Sequence, residues 1–187
     1  MGAALHVTLL ISALLLAEAP TAFAEETTPE AERLARAALD LCMRADTLAD
    51  GERRGMLRRG LGLAERAVAN DEALSRAHFA VFCTLGKLVD LDCIGWRTLT
   101  SVRRVRQAAE RAVALDPNDV EALVGKGALL TRLPRLLGGD EAEGRRCLTR
   151  ALEMDPWHAT ARTYLSRLGT VPVVPAPATL SAVEVAE

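Results

Sequence analysis

The stretch LPRLLGGD, Leu133 to Asp140, sets a basic residue beside a double glycine. Such a stretch can cradle phosphate, because glycine lets backbone N–H groups converge on an anion. That chemistry also needs an upstream strand, and a lysine followed by serine or threonine at the start of the next helix. Here the upstream ALLTRLPRLL reads as the end of a helix, and Asp140 and Glu141 follow Gly139. Two carboxylates at a helix N-terminus repel a phosphate. The residues fit a turn between helices instead. Pro134 stops one helix, and Gly138 and Gly139 are expected to supply positive φ where the chain reverses. Leu133, Leu136 and Leu137 are expected to cover the apolar seam beneath. Asp140 is expected to cap the next helix, with Glu143 completing an arrangement like a capping box.

Other reactive residue types are scattered. The three histidines are His6, His78 and His158, with no His-x-x-x-His and no Cys-x-x-Cys pattern. A metal site needs three or four converging ligands, so no metal is implied. No serine has the Gly-x-Ser-x-Gly setting of a nucleophile elbow, and the carboxylates are spread along helix faces. The expectation is a protein that is not an enzyme and takes no cofactor. A net charge of −2 provides no basic field for nucleic acid. The four cysteines, Cys42, Cys83, Cys93 and Cys147, leave two readings open: disulfides with three full connectivities, or buried thiols acting as small hydrophobes.

These residues must be carried by helices. Half of the 187 residues are hydrophobic but only 3% are aromatic, a composition suited to helices packed through small side chains. Only Lys87 and Lys126 are lysines; the arginine excess reads as the codon bias of a GC-rich, bacterial genome. Residues 1–24 are expected to be a signal peptide: Val7 to Ala17 is apolar, Pro20 breaks it, and Ala22-Phe23-Ala24 is the small-x-small pattern of a cleavage site. That apolar run is short of the ~20 residues of a membrane span. The chain therefore reads as exported, periplasmic or secreted, with no membrane span once the signal is removed.

Residues 25–169 repeat. AERAVAND (Ala64–Asp71) recurs as AERAVALD (Ala109–Asp116) and, more loosely, as LTRALEMD (Leu148–Asp155). Pro117 and Pro156 follow two of the three aspartates, and a small residue lies further on in each copy: Ala77, Ala122 and Ala161. Such self-similarity predicts an array of helix pairs. The spacing places seven helices near 28–48, 52–69, 73–89, 101–115, 119–131, 140–154 and 158–168. The first is expected to start with Thr28 as N-cap and Pro29 at its first position. Residues 170–187 contain three prolines and read as a flexible, disordered tail.

The helix pairs, the small residues Gly127, Ala151 and Ala161, and the ALDP and EMDP closures resemble the tetratricopeptide repeat, over roughly Thr28 to Gly169. The copies are offset by 45 and 39 residues, longer than the standard repeat of about 34. LPRLLGGD followed by RALEMDP looks like the exported T-component proteins associated with TRAP transporters. The resemblance implies an all-α solenoid of three antiparallel helix pairs and a terminal helix. In such an array the first helices of successive pairs run parallel, which would bring Cys42 and Cys83 to similar depth; Cys83–Cys93 is the rival pairing. The resemblance also implies that the first helices line a concave face that grips a partner. The contact positions would be Arg76, Phe79, Glu121, Val124, Arg132 and Arg167. Two functions follow: a scaffold for protein–protein interaction in the bacterial periplasm or envelope, or a TRAP-associated accessory that forms a homo-oligomer and handles an apolar solute. The cleavage expectation is directly testable. N-terminal sequencing of the exported protein should find Glu25 first, and a chain retaining Leu14–Leu16 would mean an anchored protein.

Overall fold

The computed structural model describes residues 22–91 and 96–169. The segment up to residue 21, the tail from residue 170, and Cys93 lie outside the described residues. Seven helices follow in order: α1 (Ala22–Arg44), α2 (Asp50–Asn70), α3 (Ser75–Leu91), α4 (Trp96–Leu115), α5 (Val120–Arg132), α6 (Glu141–Met154) and α7 (Ala159–Arg167). Short 3-10 turns lie at Ala45–Thr47 and Arg135–Leu137. The chain is an all-α solenoid of the pairs α1/α2, α3/α4 and α5/α6, closed by α7.

Two helix starts differ from expectation. α1 begins at Ala22, so Thr28 is not its cap and Pro29 lies inside it. Pro29 lies past the first turn, where a proline removes no helical bond, so α1 forgoes one backbone hydrogen bond there. α4 begins at Trp96 rather than near Ser101. WRTLT has weak intrinsic helix preference, which is why its pattern gave no start signal.

The arrangement is curved, and its helices show why. α1 packs on α3, α3 on α5 and α5 on α7, whereas the backbones of α2, α4 and α6 stay apart among the described residues, α2 and α4 meeting through the Glu65–Arg104 ion pair. The first helices of the pairs therefore share the short inner radius, and the second helices splay on the outer one. Alanine permits this approach. Ala31, Ala35 and Ala38 of α1, Ala64 and Ala67 of α2, Ala77 and Ala80 of α3, and Ala112 of α4 are fully buried. Glycine extends it where even a methyl group is too large. A Cβ on Gly127 would meet Leu148 and the Gly144 carbonyl, and one on Gly144 would meet Thr131 and the Gly127 carbonyl. Gly125, two residues earlier on α5, instead faces Phe79 and Phe82 of α3. The larger apolar side chains fill between these seams; Leu57, Leu148 and Leu165 are the largest fully buried ones, each worth ~2–3 kcal/mol of burial.

The repeated aspartates make one turn three times. The N–H groups of Asp71, Asp116 and Asp155 close their helices onto the carbonyls of Ala67, Ala112 and Ala151. Each Oδ1 then accepts from the N–H two residues on, in Ala73, Asn118 and Trp157. Their carbonyls accept from Leu74, Asp119 and His158. The last two cap the next helix through side chains: Asp119 accepts from Ala122 N–H and His158 Nδ1 from Ala161 N–H. Leu74 has no such group, and in the first copy Ala77 N–H donates to the Leu74 carbonyl instead.

LPRLLGGD is such a connection too. Pro134 ends the run of α5, its carbonyl accepting from the N–H groups of Leu137 and Gly139. Gly138 has φ 86°. Gly139 is needed for a different reason than positive φ: a Cβ there would overlap the Leu133 carbonyl. Asp140 caps α6 by accepting from Glu143 N–H at 2.9 Å. Besides the positive φ expected of Gly139, two expectations fail. Leu136 is 98% exposed and covers nothing, because the 3-10 turn aims it outward. The Glu143 carboxylate does not close a capping box; Asp140 N–H donates to the Leu130 carbonyl, and Glu143 turns to Lys126 and Arg146.

Cys42 of α1 and Cys83 of α3 form a disulfide, with Cα atoms 6.5 Å apart. Cys83 is thus unavailable to Cys93. The bridge closes a long loop of chain and should stabilise the fold by ~3–4 kcal/mol. Beside it, Lys87 Nζ donates to the Cys42 carbonyl at 3.0 Å and to Asp46 at 2.7 Å.

A glycine series separates these roles by thermal melting. Gly139→Ala should destabilise on the order of 2 kcal/mol, and Gly138→Ala ~1–2 kcal/mol through its left-handed backbone. Gly55→Ala, in α2 with nothing within 4 Å of the added carbon, should stabilise by ~0.5–1 kcal/mol. A Gly139→Ala protein as stable as the parent would refute the close approach to Leu133.

Candidate functional site

The inner face is built by α1, α3, α5 and α7, and the structure places the six expected contact residues on or under it. Arg76 is exposed and paired with Glu32 of α1. Arg132 is exposed and lies 3.6 Å from Asp90 of α3. Glu121 is exposed and accepts a hydrogen bond from His158 Nε2 at 3.1 Å. His158 Nδ1 is the acceptor in the α7 cap, so Nε2 carries the hydrogen. Arg167 is exposed, its guanidinium 5.8 Å from the Tyr164 ring centre. Phe79 is half-buried and stacked on Phe82 at 5.8 Å, over Gly125. Val124 is only 4% exposed, in the core with Leu123, Cys147, Leu148 and Leu165. Its side chain is packing, with no surface to offer.

Three of these residues have a second role that single-residue reading missed. Glu32–Arg76 joins α1 to α3, Asp90–Arg132 joins α3 to α5, and Glu121–His158 joins α5 to α7. Every neighbouring pair of inner helices thus has one polar clip across it. Asp90–Arg132 is exposed at both ends and the other two at one end, Glu32 and His158 being partly covered; a fully exposed pair contributes only ~0–1 kcal/mol. No motif advertises them, because the partners are tens of residues apart in the chain.

Between α5 and α6 lies a tighter cluster. Lys126 Nζ donates to Glu143 Oε1 at 3.0 Å, and Arg146 donates to Glu143 Oε2 at 2.6 Å. The Arg146 hydrogen bond, then the Lys126 one, hold the Glu143 carboxyl below its ordinary value of 4.5. Cys147 sits 3.8 Å from the same carboxylate. Burial pushes its thiol pKa up, which leaves it protonated and a poor nucleophile. Among the described residues, no group of three or more His, Cys, Asp or Glu side chains could hold a metal. No described helix is long and apolar enough to cross a membrane.

The outer side holds one feature no spacing announced: an open cleft of ≈ 470 Å³ between α2 and α4, with α3 beneath. Val68, Val81 and Ala108 are its apolar lining, and Glu65, Glu72, His78, Arg104, Gln107 and Arg111 its polar walls. Arg104 pairs with Glu65 across it, and His78 Nε2 donates to the Glu72 carbonyl at 2.9 Å.

No family model matches this chain, and no curated protein matches it. Among solved structures, the TPR domain of Arabidopsis OM64 is similar, at 15% identity and a TM-score of 0.49, covering 73% of this chain and 97% of that one.

The Glu143 cluster yields a signed pH dependence. A carboxyl held low in the folded state contributes stability that is present above its unfolded value of about 4.5 and is lost as pH falls through the folded value. Glu143→Gln should cost stability at pH 7 and flatten the decline below pH ~5. Urea midpoints at pH 7 and pH 3 measure both arms. Parallel pH profiles for parent and variant would show that the cluster contributes no linked stability.

Proposed function

We propose that this chain is an exported helical-repeat scaffold that binds other proteins in the bacterial periplasm or envelope. The observation that carries the reading is the continuous inner face of α1, α3, α5 and α7, held by clips that an incoming chain can replace. Arg76, Glu121, Arg132 and Arg167 offer charge on that face, and Phe79 offers an aromatic edge. The signal-like start and the Cys42–Cys83 bridge support export, since disulfides persist in oxidising compartments. The alternative, a TRAP-associated accessory that oligomerises and passes an apolar solute, calls for an enclosed apolar cavity. The cleft of this chain is open and polar-walled, so the scaffold reading is favoured.

A photo-crosslinking amino acid placed at Arg76, Arg132 or Arg167 in the exported protein tests the face. Discrete adducts are expected from these positions and not from Glu153, exposed on α6. Adducts from Glu153 alone would sink the inner-face assignment.

A further inference from the structure

We propose that the cleft between α2 and α4 binds a small zwitterion, a free α-amino acid with an aliphatic side chain. The case begins with a comparison inside the chain. Arg66, Arg111 and Arg150 hold the same place in the three repeats. Arg150 of α6 grips the turn of the preceding copy, donating to the Pro117 carbonyl at 3.2 Å and to Asn118 Oδ1 at 2.9 Å. Arg111 of α4 stands beside the preceding turn in its own copy. Ser75 Oγ, at the start of α3, donates to the Ala112 carbonyl at 3.0 Å and holds that turn against α4. The acceptors that Arg150 uses are missing there. Ala73 stands in the place of Asn118 and has no polar side chain. The Glu72 carbonyl, in the place of that of Pro117, already accepts from His78 Nε2. Arg111 accordingly makes no ion pair and no side-chain hydrogen bond among the described residues, and neither does the Glu72 carboxylate.

Both of these open charges line the cleft. Farther along it, Glu65 and Arg104 satisfy each other across the gap. Arg104 and Arg111 are two turns apart on α4, ~10 Å, so the Arg111 end keeps one cation and one anion to itself. The lining is balanced and selects neither an acid nor a base; its ligand must bring both signs. A carboxylate alone would gain Arg111 and be repelled by Glu72, and an amine alone would meet the reverse. In an α-amino acid the carboxylate takes the place that Asn118 Oδ1 has in the next repeat, as a planar acceptor suited to a guanidinium. The ammonium donates to Glu72. An aliphatic side chain then lies on Val68, Val81 and Ala108, which form the apolar lining. A cleft of ≈ 470 Å³ has room for one such molecule. The α2–α4 gap follows from the curvature, so no rearrangement is needed to open it. This site does not depend on the inner face, and either can fail alone.

A nitrogen-edited NMR titration of the whole exported protein with L-leucine tests the proposal. Saturable shifts are expected in the amides of Val68, Val81 and Ala108, with a Kd of about 1 mM for so small a ligand in an open site. Isocaproate lacks the ammonium, isoamylamine lacks the carboxylate and glycine lacks the side chain; each should bind about tenfold more weakly or worse. Arg111→Gln and Glu72→Gln should each raise the Kd for leucine about tenfold. Both side chains are exposed, so helical circular dichroism should not change. Arg66→Gln, at the equivalent place in the first copy and outside the cleft lining, should leave Kd unaltered. The proposal is overturned if leucine gives no saturable shift by about 50 mM, well beyond that Kd, or if the shifts centre elsewhere. It is equally overturned if isocaproate binds as tightly as leucine or if Glu72→Gln has no effect, because Arg111 would then be a plain anion contact.

Discussion

Everything in this molecule depends on how closely its inner helices approach. Fully buried alanines on α1, α2, α3 and α4 remove side-chain bulk from the contact lines, so backbones meet where leucines would hold them apart. Close packing at interior density then fixes the relative positions of helices with little slack. Once α1, α3, α5 and α7 share the short radius, α2, α4 and α6 must diverge. The continuous face inside and the cleft outside are two results of that one inequality. Gly127 and Gly144 carry it to its limit, each facing the other's carbonyl across the α5–α6 contact.

Polar groups act within the frame that packing sets. The three clips between inner helices join residues that the alanine seams have already brought level. Exposed pairs of this kind stabilise little, yet they select one lateral register over its neighbours. The Lys126–Glu143–Arg146 cluster differs in number: two cationic donors converge on one carboxylate, and Glu143 turns to them rather than to the capping role its spacing suggested. The Asp71, Asp116 and Asp155 turns are local devices, identical in geometry because each needs only its own backbone.

That contrast explains what could be read in the chain before its structure. The aspartate turns, the buried alanines and the fold class all rest on short-range pattern, and the structure has them. The Cys42–Cys83 pairing was also legible, because parallel inner helices place equal depths side by side. Legibility failed where partners are distant or where direction matters. The clips, the α2–α4 cleft and the Glu143 cluster depend on registers no local pattern encodes. Leu136 and Val124 exchanged their expected environments, since apolarity alone does not say which way a side chain points. Pro29 looked like a start signal, but α1 runs through it.

The disulfide lies entirely within the first half of the array, joining α1 to α3. The second half has no covalent tie among the described residues: its inner helices are joined by the buried cluster of Leu123, Val124, Leu148 and Leu165, a carboxylate–histidine bond and one loose ion pair. Under tension along its length the molecule would be a spring of unequal stiffness. The bridged end would hold as a block while α5, α6 and α7 peeled away first. A partner attached near α7 would feel a compliant arm, and one attached near α1 a rigid post.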